Sequence, residues 1–233
     1  MPSWVTHLVT ANKIFDKLDI KDKNSFLFGN VMPDILNNYI VKNTNTHIKY
    51  EITHFTDDVI INDIKYAFPN FEKFFESYKE KMNNPVVCGF YVHLLTDYFW
   101  NKLSYEKYFR NHNGLVKIQF IDGTTEKYEY DPAIRVKQAD FRNFTKYLKS
   151  NYDIDRIVYT KDLLNFSKEV IEIPLIKEDI EKTIQAVENY RENNLDFANI
   201  NYRLFTQEIL NEYFEESIKF IIEKLKNIRR DNV

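Results

Sequence analysis

Residues 86–103 offer no polar face. Phe90, Tyr91, Leu94, Leu95 and Trp100 fall on every side of a helix drawn through them. A helix that is apolar around its whole circumference has to be wrapped by others, so this segment belongs at the centre of a bundle. Pro85 suits its first turn, where the missing N–H costs nothing. Only 4 glycines and 6 prolines occur in 233 residues. With turn formers this scarce, long helices joined by few loops fit better than a strand-rich fold.

The wrapping helices are read from apolar spacing. Residues 3–18 carry Val5, Leu8, Val9, Ala11, Ile14, Phe15 and Leu18 at helical intervals, with Ser3 as N-cap. Residues 26–31 form a short apolar run that Pro33 ends. Residues 47–55 and 57–66 are each expected to be helical. Residues 70–82 place Phe71, Phe74, Phe75 and Tyr78 on one side. Residues 133–148, 179–191 and 205–228 complete the set, and Lys224, Lys226, Arg229 and Arg230 suit a helix C-terminus. One interruption is expected. Residues 115–121 and 126–130 alternate approximately around Asp122-Gly123, a hairpin signal because both residues can adopt positive φ. The fold class is therefore mainly α, a single-domain multi-helix bundle over 1–233 with a small β-hairpin insertion around residues 115–130.

Composition excludes several functions. Hydrophobic residues make up 44% and charged residues 29%, so the chain is not disordered. A net charge of -3 argues against stable nucleic-acid binding. No run nears the roughly 18 apolar residues of a transmembrane segment. The start, Met1 to His7, lacks the basic and apolar regions of a signal peptide, so a cytoplasmic protein is expected. The single cysteine, Cys88, excludes an internal disulfide and reads as a small core residue. No Gly-rich phosphate loop is present. Arg135, Lys137, Arg142 and Lys146 around Asp140 read as a solvated helix face.

Chemistry concentrates in four places. His93 and Asp97, at i and i+4, share one face of the apolar helix, where they can grip a metal ion or simply hydrogen-bond each other. An unpaired Asp97 in that setting would cost several kcal/mol, so a partner is required. His54 precedes Asp57 and Asp58, which also suit a helix start. Asp34 follows Gly29 and Pro33 at a turn, where it could be a helix cap. His7 sits on an otherwise apolar helix.

Together, Thr6-His7-Leu8, Asp34, Thr53-His54-Phe55-Thr56-Asp57 and the His93-x-x-x-Asp97 helix resemble, in order and rough spacing, the zinc-dependent phospholipase C family of bacteria. That family is related to zinc nucleases that cut single strands. The resemblance covers about the first 100 residues. It implies that Asp34, His54, His93 and Asp97 hold one zinc, and that Asp97 bridges to a second held also by His7, with iron or manganese as substitutes. It further implies hydrolysis of a phosphoester by a metal-bound water, with Asp34 as candidate general base and a small phosphate ester or phospholipid headgroup as substrate. In the family an N-terminal tryptophan binds the second metal. Here Trp4 is internal, and removal of Met1 would leave a free Pro2 amine near His7. The two histidines and glutamate of the family's third metal have no counterpart; His112, the only later histidine, lies in a polar loop. One or two ions are therefore expected. The rival readings are a non-catalytic helical protein with a structural metal or polar cluster, and a metal-dependent hydrolase of another ester or an amide.

Overall fold

A computed structural model describes residues 2–18, 20–192 and 201–230, with side chains as far as 227. Met1 and the side chains of Arg229 and Arg230 lie outside the described residues. The chain is 59% helical, with nine α-helices and two small sheets among the described residues. The mainly α architecture read from turn-former scarcity and apolar spacing is what the chain adopts.

The central helix, α5 (Pro85–Leu103), begins at its proline, and Asn84 caps it by accepting the N–H groups of Val86 and Val87. Buried residues occupy all of its sides down to Asp97. Around it lie α1 (Trp4–Phe15), α2 (Lys23–Gly29), α4 (Phe71–Tyr78), α7 (Lys161–Ser167) and α9 (Gln207–Arg230). In α1 the Ser3 hydroxyl accepts the Thr6 N–H, as expected of an N-cap. Helix α2 starts earlier than the apolar run alone suggests, because Asp22 accepts both the N–H and the hydroxyl of Ser25. The short α3 (Tyr50–Thr53), the long α6 (Tyr130–Asn151) and α8 (Lys177–Glu192) complete the helices. Helix α7 went unread in the sequence.

Two of the four glycines fix how α2 crosses α5. A Cβ on Gly29 would lie 2.2 Å from the carbonyl oxygen of Val86, and one on Gly89 would lie 2.1 Å from that of Phe26. The two backbones therefore touch. The crossing brings Asn30 against α5, where its side-chain amide donates to the carbonyl of Gly89 at 3.0 Å.

Several expectations are corrected. Residues 57–66 are not helical but form an antiparallel hairpin, β1 (Asp57–Ile61) and β2 (Ile64–Phe68). Asn62 and Asp63 both have positive φ, 51° and 60°, the two-residue turn that matches strand twist, and Val59, Ile60 and Ile61 favour a strand. Asp57 and Asp58 consequently bind Asn70 and Lys65 on the surface rather than opening a helix. The helix expected over 47–55 shrinks to α3, because Phe55 turns left-handed at φ 53°. Its ring packs edge-on against Phe74, Tyr78 and Phe90, and this packing offsets a backbone cost of about 1–2 kcal/mol.

The hairpin near 115–130 is a three-stranded sheet. Strand β3 (Phe109–His112) joins β4 (Leu115–Gln119) through Asn113-Gly114, both at positive φ, and β5 (Thr125–Tyr128) follows. His112 thus lies in a strand, not a loop. The Asp122-Gly123 connection spans five residues, and only Gly123 has positive φ. Helix α6 is not a solvated face throughout: Lys137 and Asp140 are buried. Asp140 accepts the backbone N–H groups of Arg203, Leu204 and Phe205, anchoring the segment that leads into α9. No helix of the described residues is long and apolar enough to cross a membrane.

Candidate metal centre

The five residues singled out from sequence converge at the middle of α5. His7 comes from α1, Asp34 from the 3-10 turn after α2, His54 from the end of α3, and His93 and Asp97 from α5. All five are at most 1% exposed. Two groups among them could hold a metal ion: His7, His93 and Asp97, and Asp34, His54 and His93.

The ring nitrogens of two histidines are assigned by their neighbours. His93 Nδ1 lies 2.8 Å from the carbonyl oxygen of Asn30, which can only accept, so Nδ1 carries the proton. The Thr53 hydroxyl donates to the Tyr50 carbonyl, leaving its oxygen to accept from His54 Nδ1 at 2.9 Å. In the neutral rings both Nε2 atoms are then bare, and they face each other at 3.1 Å. Two lone pairs at that separation repel unless a cation or a shared proton lies between them.

Asp97 completes the argument. Its Oδ2 is 3.4 Å from His54 Nε2 and 3.6 Å from His93 Nε2, and its Oδ1 is 3.3 Å from His7 Nε2. These separations lack the alignment of hydrogen bonds, and both carboxylate oxygens, though buried, have no hydrogen-bond partner. Asp34 Oδ1 stands 3.5 Å from His54 Nε2. Metal–ligand bonds of about 2.0–2.1 Å place tetrahedral donors roughly 3.3–3.4 Å apart. The spacings from 3.1 to 3.6 Å match that figure, so the residues fit an ion.

Burial and the two carboxylates set the charges of the cluster. Burial pushes the His7 imidazole down to about 4, with the positive neighbour His93 adding to the effect, so His7 is neutral at physiological pH. For His93 burial pulls downward too, but Asp97, Asp34 and the Asn30 carbonyl outweigh it and raise the ring. Burial favours the neutral acid for Asp97, yet the three histidines hold it well below the usual carboxylate range. It is a buried anion surrounded by nitrogen donors.

Sequence reasoning missed the residues that hold these ligands. Trp4 donates its indole N–H to Asp34 Oδ2 at 3.0 Å, and Asn37 donates to Oδ1 at 3.0 Å. The internal Trp4 thus reaches the centre through its ring. Pro2 is buried. Asn30 and Thr53 fix the histidines, and the partly exposed Tyr50 stacks on His54 at 3.9 Å between ring centroids. Only adjacency hinted at these: Thr53 precedes His54, and Asn37 follows Asp34 by three. His7 differs from the other two, since neither ring nitrogen has a hydrogen-bond partner; it stacks on His93 at 4.0 Å. His112 lies outside the cluster, and Cys88 is buried as expected.

Fold and site define a mainly helical protein with a buried histidine–aspartate cluster that could bind a metal ion. Comparison with family models, with curated proteins and with solved structures finds no match to the chain.

Proposed function

We propose that this protein is a metal-dependent phosphoester hydrolase whose centre is His7, Asp34, His54, His93 and Asp97. The reading rests on two Nε2 atoms 3.1 Å apart beside a carboxylate without a hydrogen-bond partner, an arrangement that a divalent cation relieves. The donor set of imidazole and carboxylate suits zinc, with iron or manganese as alternatives. The order of the five residues resembles the zinc-dependent phospholipase C family, which favours a phosphoester over an amide.

A bound ion would supply Lewis-acid polarisation of a phosphoryl oxygen and a more acidic water. The protein's own residues supply the rest. His54 and His93 are locked by Thr53 and Asn30, so their donor atoms are aimed before any ligand arrives. A carboxylate has about four lone-pair sites. Trp4 and Asn37 use two of those on Asp34, which leaves one to hold an ion and one to accept a proton from the attacking water. Asp97 presents one oxygen toward His54 and His93 and the other toward His7, the disposition of a bridging carboxylate.

One observation favours a second reading. Asp97 lies 3.4 and 3.6 Å from the Nε2 atoms of His54 and His93, so it could join the Asp34, His54 and His93 group as a fourth donor, and a zinc closed by four protein ligands is structural rather than catalytic. The test is metal content per chain together with turnover of p-nitrophenyl phosphate, bis-p-nitrophenyl phosphate and p-nitrophenyl phosphorylcholine. One or two ions and turnover abolished by His93→Ala supports the hydrolase. Stoichiometric metal with no turnover on the panel assigns the centre to structure, and absence of metal after titration defeats both readings.

A further inference from the structure

The outward face of the three-stranded sheet carries a row of like charges. Strand register sets Arg110 opposite Lys117 and Lys117 opposite Lys127, and all three are exposed. Like charges directly opposite each other weaken strand pairing. Alternation had a cheaper solution available, because an acid at position 117 would attract both neighbours. The chain as a whole is acidic, at -3, so the row does not follow from overall composition.

Beside this row opens a cleft of about 590 Å³. Lys107, Arg110, His112 and Lys117 line it, and no aspartate or glutamate does. Two acids of the neighbouring elements are engaged elsewhere, Glu106 with Lys102 at 3.8 Å and Glu126 with Arg203 at 2.8 Å. Arg110 donates only to the backbone carbonyls of Glu106 and Phe109. Among the described residues, Lys107, Lys117 and Lys127 form no ion pair. Apolar side chains line the cleft as well, among them half-buried Tyr108 and Ile209 and the exposed Ile121. Loop and sheet are tied at this point, since the Ile121 N–H donates to the Arg203 carbonyl at 3.0 Å.

We infer that this cleft is a binding site for a phosphorylated small molecule of nucleotide size, separate in its residues from the metal centre. The volume lies within the roughly 300–1,000 Å³ of small-ligand sites, which combine apolar walls with a few polar anchors. Arg110 and Lys117 meet the phosphate, with Lys107 and His112 adding charge at the rim. Tyr108, Ile121 and Ile209 receive the apolar part of the ligand. An anion over Arg110 and Lys117 cancels the repulsion that the bare sheet carries, so the bound state relieves a cost built into the strand register.

The test is calorimetric titration of the full chain with the methylene phosphonate analogue of AMP, which a phosphoesterase cannot cleave, and with inorganic phosphate. Lys117→Glu places an acid between two cations. It should raise the melting temperature while lowering affinity for the analogue at least tenfold. Those opposite signs separate a binding role from damage to the fold. Affinity that falls with added salt, and an analogue that binds more tightly than phosphate, complete the expected result. No binding by the wild type, or binding that Lys117→Glu leaves unchanged, overturns the inference. A third arm uses phosphatidylcholine vesicles containing phosphatidic acid: sedimentation with these, lost in Lys117→Glu while the soluble analogue fails to bind, would replace the small molecule by a lipid surface.

Discussion

Lys137 shows how much one buried charge can reveal. It is fully buried on α6 and donates to Asn101 Oδ1 and Tyr105 Oη, each at 2.9 Å, so both partners are neutral. Burial pushes its amine down from 10.5 to about 7, with the Asp97 carboxylate resisting the fall. The sign of the resulting pH dependence is fixed. Between about pH 7 and 10 the unfolded chain holds a proton that the folded chain has released, so stability rises with pH across that window. Groups raised on folding oppose it, His93 from just above pH 6.5 and buried tyrosines such as Tyr66 and Tyr91 only above about pH 10, so the difference between wild type and Lys137→Met isolates the amine. Urea unfolding from pH 7 to 9.5, in chelator so that ion binding adds no slope, should show a gain of about 1–3 kcal/mol. Lys137→Met should flatten the curve. A Lys137→Met curve with the same slope as the wild type rejects a depressed amine. Nothing in the sequence distinguished Lys137 from its solvated neighbours Arg135 and Arg142, because helical spacing marks apolar faces and not a lone cation turned inward.

At the scale of elements, the α2–α5 crossing sets the precision of the candidate centre. Gly29 and Gly89 let the helices touch, and the contact places the Asn30 carbonyl against His93 Nδ1. Gly89→Ala would put a methyl group 2.1 Å from the Phe26 carbonyl oxygen, so the helices must part. Overpacking of this kind costs about 1–3 kcal/mol. Metal affinity should fall alongside it, by roughly 10–100-fold, as for loss of a group that orients a ligand. Measuring both on Gly89→Ala checks this; unchanged affinity in a folded variant shows that the crossing does not aim His93. The helices were legible because amphipathic spacing survives any tertiary arrangement, and α5 was legible as central because it lacks a polar face. The β1–β2 hairpin was not, since Asn62-Asp63 carries its turn in two residues between short runs that also suit a helix. Asn113-Gly114 was a stronger signal, hidden by the polar residues of β3. That His7, Asp34, His54, His93 and Asp97 belong together was legible in the sequence, and they do cluster, whereas Trp4, Asn37, Thr53 and Asn30 act through contacts that only the folded chain creates.

Considered as a whole, the molecule gathers donors from positions 7, 34, 54, 93 and 97 into a site that the unfolded chain does not possess. Binding there is therefore coupled to folding. An ion present at about 1,000 times its dissociation constant adds roughly 4 kcal/mol to stability. For a chain of this length, about 2–4 °C of melting temperature accompany each kcal/mol, so chelation should lower the melting point by about 8–16 °C. Asp97→Asn sharpens the prediction because the size of its effect depends on the ion. Without metal the substitution removes a carboxylate that the three histidines stabilise and that raises His93, so the variant should melt somewhat below the wild type. With metal it also removes a ligand, and the variant should melt further below. Scanning calorimetry of both proteins, each with saturating zinc and each with chelator, reads all four states. An equal loss with zinc and with chelator would mean that Asp97 balances protonated histidines rather than a cation, and the centre would then be a polar cluster of the core.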